Sequence, residues 1–471
     1  MRGWSVAGAG LLVVALAPSC SSSSSKDAAT GADGGASGSG SGGASGSSGG
    51  GSSGGGSGSS SGGGSGGSSG SSGSGSGGGT DGGGTCLGAS LLGALGKSHM
   101  LVGLANDSKL TAAAPFDVQY QYISGEFSDG AGPCTSCTSG CTVTSKDCTS
   151  SPTSGCWWGC WQDTSQPPGE FPASFAGGLT SASPPQIPMF TYYMLLQASG
   201  VTEGAPEITQ AAGDASFMSR YFADWRFLLQ RIGQSVALLH IEPDFWGYAE
   251  QQSEDPTSLK AAVASANGTD CGSMPNTIAG MGQCMIAMTR KYAPHALVGL
   301  QASAWGTNVD ALGNTDPTLD VASVAQKTAK FLAACGESSA DFVVVETSDR
   351  DAGYYQVVEK KTTWWDATNA KLPDFTQAFT YVKALTEALS KPALYWQTPL
   401  GNMSLPNTNN EYQDNRVDYF FGHMSELAAA HAVGAVFGAG AGGCTTPDTD
   451  GGNLVTKAKA YYSGGGQSLC P

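Results

Sequence analysis

The chain has 471 residues, 71 of them glycine, and a formal net charge of −16. So acidic a molecule, with no basic stripe, cannot neutralise a phosphate backbone, which sets nucleic acid aside as a partner. Its five histidines (His99, His240, His295, His423 and His431) show no HxH or HExxH spacing, and outside the Gly/Ser-rich residues 21–85 no serine stands in a G-x-S-x-G elbow, so neither a histidine metal centre nor that serine nucleophile is expected.

The first twenty residues run from Arg2 through an apolar stretch, Val6 to Ala17, to small residues and Cys20. That is the layout of an export signal, and the stretch is too short to span a bilayer. The ending "LAPSC" resembles the lipobox of bacterial lipoproteins. The resemblance implies a lipid on Cys20 and anchorage to the bacterial outer membrane or cell surface; a plain cleaved signal is the alternative. Residues 21–85 are almost wholly Gly and Ser, with Lys26, Asp27, Asp33 and Asp81 as their charges. With no apolar surface to bury, they are expected to form a flexible tether. Residues 86–471 are left to fold.

Setting Cys20 aside leaves twelve of the thirteen cysteines, and in an exported chain disulfides are the expectation. Six of them (Cys134, Cys137, Cys141, Cys148, Cys156 and Cys160) crowd one insertion. A zinc cluster is the alternative there, given "CTSC", but the insertion holds no histidine. Cys271 and Cys284 are spaced to close a local loop, while Cys86 and Cys470 lie near the two ends of the domain.

From His99 onward, short apolar runs rich in β-formers alternate with helical patterns. The runs span 99–105, 116–123, 187–195, 236–242, 296–303, 341–346, 392–398 and 432–438. Phe217, Tyr221, Trp225, Leu228 and Ile232 mark a buried helical face, as do Ile278, Met281, Met285, Met288 and Tyr292. Phe375, Phe379, Val382, Leu385 and Leu389 mark a third before the seventh run. Strands apolar on both faces that alternate with amphipathic helices predict a parallel sheet covered by helices, and eight such units predict a (β/α)8 barrel with a Cys-rich insertion after strand 2. The link between the first two runs is short for a helical crossover, so a hairpin there, or an open doubly wound sheet overall, is the alternative.

In a parallel barrel the active site lies at the carboxyl ends of the strands. His240, Glu242 and Asp244 share one parity in "LLHIEPD", and a regular strand would point them to one side. The sixth run ends at Glu346, with Asp349, Arg350 and Asp351 just beyond. Two carboxylates at one mouth suit glycosidic hydrolysis: one stays protonated to serve the leaving oxygen, the other activates water or stabilises the developing cation. The plainer reading makes these acids solvated, or ion-paired to Arg350 and Lys391. Aromatic rings gather at the same strand ends (Trp246, Tyr248, Trp305, Tyr354, Tyr355 and Trp396) and could stack on sugar faces or simply fill the core. "CWWGCW" at 156–161 could form a rim or fold inward. "TPDTDGG" at 446–452 reads as a turn more readily than a calcium loop, and the glycines of "GAVFGAGAGG" fit either a phosphate cradle or close backbone packing.

The barrel rhythm and "IEPDFWG" resemble the (β/α)8 glycoside hydrolases, many of which end their fourth strand in "NEP" with the Glu as acid/base. Glu242-Pro243 matches two of those residues; Ile241 departs. The nucleophile that these enzymes carry at the end of the seventh strand is replaced by Gln397 in "LYWQTPLGN", so their two-step mechanism does not carry over. The expectation is therefore a cell-surface glycoside hydrolase with Glu242 as proton donor and Glu346 as its counterpart, with Asp244 and Asp349 in reserve. His240, Trp246, Tyr248, Trp305, Tyr354, Trp396 and Gln397 are expected to bind substrate. A monomer acting on carbohydrate without cofactor or metal is expected. A non-catalytic carbohydrate-binding barrel and a structural surface lipoprotein are the alternatives.

Overall fold

The computed structural model describes residues 86–105, 113–125, 127, 169–440 and 442–469. The expected signal and its Cys20, the Gly/Ser-rich residues 21–85, the cysteine-rich segment with its "CWWGCW" stretch, and Cys470 lie outside the described residues.

The strands are β1 (Leu101–Ala105), β2 (Val118–Ser124), β3 (Ile187–Tyr193), β4 (Leu238–Ile241), β5 (Leu297–Ala302), β6 (Val343–Glu346), β7 (Ala393–Thr398) and β8 (Ala432–Phe437). Each pairs in parallel with its neighbours in chain order, and β8 returns to β1, closing an eight-stranded barrel. Seven of the strands fall inside the apolar runs read from the sequence, and β2 runs one residue past its own, to Ser124. The doubly wound alternative is excluded by closure. The hairpin is excluded by the parallel register that sets Gly103 opposite Val118.

Helices cover the barrel, three of them where the periodicity read from the sequence predicts them. Between β3 and β4 lies α1 (Ala215–Ile232), between β4 and β5 α2 (Phe245–Gln252) and α3 (Ile278–Tyr292), between β5 and β6 α4 (Val321–Ala334), and between β6 and β7 α5 (Phe375–Leu389). Four of the five start at side-chain caps. Asp214, Thr277, Asp320 and Asp374 each accept from backbone N–H groups of the first turn, which gives an acceptor to donors that have no partner within the helix. The faces turned inward are those marked by the sequence: Tyr221, Trp225, Leu228 and Ile232 on α1, and Met281, Met285 and Met288 on α3, are all buried.

The barrel interior is packed with rings. Trp396 of β7 lies with its ring 4.7 Å from His240 of β4, 5.9 Å from Tyr120 and 5.6 Å from Tyr122 of β2. Gly438, just after β8, lets the Tyr120 hydroxyl lie against the backbone where any side chain would collide. The first glycine past the last strand thus serves close packing.

Cys271 and Cys284 form a disulfide, as their spacing suggested. Cys335 departs from the expectation of paired cysteines: it is a buried free thiol at the end of α4, and burial pushes its proton affinity up. Asp450, from the acidic "TPDTDGG" turn, accepts from Gly452 and Leu454 N–H, and so caps the helix Asn453–Ser463. Among the described residues, no group of three or more His, Cys, Asp or Glu side chains is arranged to hold a metal, and no helix is long and apolar enough to cross a membrane.

Candidate active site

β4 ends at Ile241, and the backbone then leaves the extended region. Glu242 has φ 48° and Asp244 φ 66°, both left-handed and both costly for residues with a side chain, on the order of 1–3 kcal/mol each. Two such residues within three positions break the alternation that would have pointed His240, Glu242 and Asp244 to one side. His240 stays inward, with Nδ1 3.3 Å from the Thr191 hydroxyl; burial lowers its proton affinity to about 3, so the imidazole is neutral.

Glu242 turns away from the mouth. Its Oε1 accepts from the N–H groups of Met194 and Leu195, at 3.1 and 3.0 Å, and from the Tyr221 hydroxyl of α1 at 2.8 Å. The carboxyl is wholly buried in the wall where the chain leaves β3, and that burial pushes its pKa up to about 8 against the pull of those three donors. Glu242 is therefore absent from the cleft lining that holds Glu346, and its Oε2 is buried without a hydrogen-bond partner. The physical reason is the left-handed backbone, which hands the carboxyl to the loop after β3.

Asp244 takes the place at the mouth. It lines a cleft of about 400 Å³ at the carboxyl ends of β4–β6, shared with Glu346, Asp349 and Glu203. That volume lies within the range of small-molecule sites. Burial, then the charges of Glu203 and Asp349, pushes the Asp244 carboxyl up to about 7, while Gln301 Nε2 donates to it at 3.3 Å. Burial, then the charges of Asp244 and Asp349, holds the Glu346 carboxyl well above the usual carboxylate range, against the pull of Arg350. Asp349 is partnered directly: the Arg350 guanidinium and the Tyr355 hydroxyl both donate to it. So the cleft holds two acids that retain their protons unusually well beside a third whose charge is matched.

The loops that carry these acids are tied together from behind. Asp351 accepts from the Gly401 and Thr445 N–H groups, at 2.9 and 2.8 Å, bridging the segments after β6, β7 and β8. Asp414 accepts from Ala352 N–H at 2.8 Å and pairs with Arg416 at 2.7 Å. The Arg416 guanidinium then lies over Trp365, its Cζ 4.5 Å from the ring centre, and both residues line the cleft.

The aromatic expectations divide. Trp305 and Tyr248 line the cleft, their rings 4.8 Å apart and tilted by 50°. Gly247 makes that contact possible, because a Cβ there would stand 2.5 Å from Ser303 Cβ and 2.8 Å from the Trp305 ring. Trp246, in contrast, is core: it is 1% exposed and donates its indole N–H to the Ile241 carbonyl at 2.9 Å. Trp396 is likewise buried inside the barrel. Gln397 is buried too, with φ 54°, accepting from the Tyr122 hydroxyl at 2.9 Å and donating to the Ala439 carbonyl at 3.0 Å. Tyr354 lies behind the mouth, its ring under the Arg350 guanidinium at 5.2 Å, while its neighbour Tyr355 reaches the cleft. Trp246, Trp396, Gln397, Tyr354 and His240 are thus absent from the cleft lining.

Several lining residues were not singled out from the sequence: Glu203, Gln301, Ser303, Thr347, Asp310, Trp365 and Arg416. Gln301 and Ser303 had a readable signal, since "GLQAS" places two polar side chains at the end of an otherwise apolar run. Glu203, in the loop after β3, had none.

No model of a known protein family matches this sequence, and no curated protein matches it. Among solved structures, a modular endo-β-1,4-mannanase from Cellulomonas fimi is similar at a TM-score of 0.43 and 12% identity, covering 80% of this chain and 74% of its own. Endo-glycoceramidase II from Rhodococcus sp. is similar at 0.39 and 11%, covering 78% and 79%. The endoglucanase Cel6 from Mycobacterium tuberculosis is similar at 0.26 and 14%; the match covers 48% of this chain and spans only 56% of that enzyme. At TM-scores below 0.5 none of these likenesses bears on what the cleft does, so its chemistry is read from its own residues.

Proposed function

We propose that the barrel hydrolyses O-glycosidic bonds of an extracellular oligo- or polysaccharide, with Glu346 and Asp244 as the working pair. The observation that carries this reading is that Glu346 and Asp244, on strand ends separated by β5, line one cleft, where the charge of Asp244 raises Glu346's hold on its proton and that of Asp349 raises both. Glu346, protonated at neutral pH, donates its proton to the leaving oxygen as the bond to the anomeric carbon breaks. Asp244, once ionised, takes a proton from the attacking water or stabilises the developing positive charge. Asp349, anchored by Arg350 and Tyr355, adds negative charge beside that cation. Trp305 and Tyr248 offer the sugar ring a flat apolar face.

Two coupled acids give two apparent ionisations that belong to the pair. Since the base must be ionised and Asp244 titrates near 7, kcat/KM should rise through about pH 7 and fall once Glu346 loses its proton. A glycan panel assayed across pH 5–10 checks this; activity greatest near pH 5 on every cleaved glycan would remove Asp244 from the role of base. A sugar-binding barrel without turnover is the second reading, favoured by Gln397 where related barrels carry an acid, and glycan binding with no cleavage on any member of the panel would establish it.

The same reading extends to location. The chain is exported, acylated at Cys20 and held off the surface by residues 21–85. Mass spectrometry of the mature N-terminus should find a lipid on Cys20 in the native chain and a soluble product from Cys20→Ser; an unmodified Cys20 would leave only the cleaved signal.

A further inference from the structure

We propose that Gln301 is a positioning residue that settles which of the two cleft acids works as the base, by keeping its amide N–H on Asp244. This rests on the glycoside reading and deepens it by assigning the two roles. β5 stands between the strands that carry the acids. Its Gly299 pairs with His240 of β4, and its Gln301 pairs with Val344 of β6. Paired residues of parallel strands face the same way and the face recurs at every second residue, so Gln301 shares the side of His240 and of Glu346. Gln301 lines the cleft and is only 1% exposed, so its side chain is held among the strands rather than free in solvent.

From that place it serves one acid. Nε2 donates to Asp244 at 3.3 Å and, among the described residues, is the only hydrogen-bond donor to that carboxyl, while the Glu346 carboxyl has none. A donated N–H stabilises the ionised carboxylate over the neutral acid. The titratable groups that face Asp244 are Glu203 and Glu207 after β3, Tyr193 at the end of β3, Tyr248 of α2, Glu346 of β6 and Asp349 beyond it. None of these is a cation, so the amide is the group that favours ionisation. Burial and Asp349 act on both acids, and the amide acts on one.

An amide turned over would undo this, since its carbonyl would face the carboxyl and favour the protonated form. His240 guards against the turn. The imidazole is neutral, and its Nδ1 lies 3.3 Å from the Thr191 hydroxyl, whose hydrogen it accepts when the ring proton sits on Nε2. His240 Nε2 and Gln301 Oε1 are both buried without a hydrogen-bond partner elsewhere, and the Gln301 side chain raises the imidazole's hold on a proton against burial. An Nε2–H and a carbonyl oxygen complement each other, whereas a turned amide would set two donors face to face. Thr191 of β3, His240 of β4 and Gln301 of β5 thus form a line of neutral groups across three strands that ends on Asp244.

The test follows the Asp244 carboxyl by carbon-13 NMR titration in the purified full chain, in Gln301→Met and in Thr191→Val, with melting temperatures showing that the variants fold. Met keeps the length of Gln without its donor, and Val keeps the shape of Thr without its hydroxyl. Asp244 should titrate about one pH unit higher in Gln301→Met and move in the same direction by less in Thr191→Val. The limb of kcat/KM that rises with pH should move up with it, so that Gln301→Met is about fivefold slower at pH 7 and recovers most of that loss above about pH 8. A residue that only held the fold would lower the rate equally at every pH. An Asp244 unmoved or lowered in either variant overturns the inference. Cleavage with a pH profile that Gln301→Met leaves in place also overturns it, while keeping the hydrolytic reading. The titration needs no turnover, so an upward shift in a chain that cleaves no glycan supports the hold of Gln301 on Asp244 and counts against hydrolysis instead.

Discussion

Replacing Glu346 by Gln should lower kcat/KM on any glycan the protein cleaves by about a thousandfold, because the leaving oxygen then departs without a proton. Asp244→Asn should cost about a hundred- to ten-thousandfold by removing the base, whereas Glu242→Gln, altering a carboxyl sealed in the wall behind β3, should change the rate by no more than about threefold. The Gln and Asn replacements match the uncharged forms that burial favours, so the variants should fold and the losses should lie in kcat. Steady-state kinetics on the four proteins checks the assignment. A Glu242→Gln enzyme as inactive as Glu346→Gln would restore the role that the sequence suggested for Glu242.

The second large effect concerns stability. Glu242 has an ordinary pKa of 4.5 when unfolded and about 8 in the folded wall. Between those values the unfolded chain is ionised there while the folded chain keeps its proton, so folding binds protons and stability falls as pH rises. The loss is nil below 4.5 and complete by about 8. Gln at this position keeps a carbonyl for Tyr221, Met194 and Leu195 and never ionises. Its stability relative to the native chain should therefore climb across that window, by up to about 1.4 kcal/mol per pH unit. Urea denaturation at pH 5 and pH 7.5 reads this directly. Equal differences at both pH values would mean that Glu242 is not held protonated. Glu207, also pushed up to about 8, first by burial and in part by the charge of Glu242, contributes a slope of the same sign in both proteins, smaller in Glu242→Gln, which adds to the expected difference.

Much of this architecture was legible because the barrel repeats one physical pattern. A strand such as "VVVE" is apolar on both faces, and the helix after it shows its stripe, so the eight units and their parallel order followed from periodicity. The site was less so. Parity along a strand holds only while the strand stays extended, and the left-handed turns at Glu242 and Asp244 occur at residues that no composition rule marks. Those two turns separated acids expected on one side: Glu242 went to the wall, while Asp244 stayed at the mouth. For Trp246 and Trp396, a ring near a strand end looks the same in sequence whether it faces the cleft or the core. Their burial depends on the α2 packing and on the crowded barrel interior, which only three-dimensional neighbours define. Glu203 was invisible for a different reason, since it sits in an irregular loop that folding alone brings to Tyr248.

The account depends on Asp244 and Glu346 sharing one cleft in which the charge of Asp244 strengthens the hold of Glu346 on its proton. Carbon-13 NMR titration of the Glu346 carboxyl, in the native chain and in Asp244→Asn, tests that most directly. The account expects Glu346 to titrate well above the usual carboxylate range in the native protein and to move measurably downward when Asp244 loses its charge. A Glu346 that titrates near 4.5 and does not respond to Asp244→Asn would contradict it.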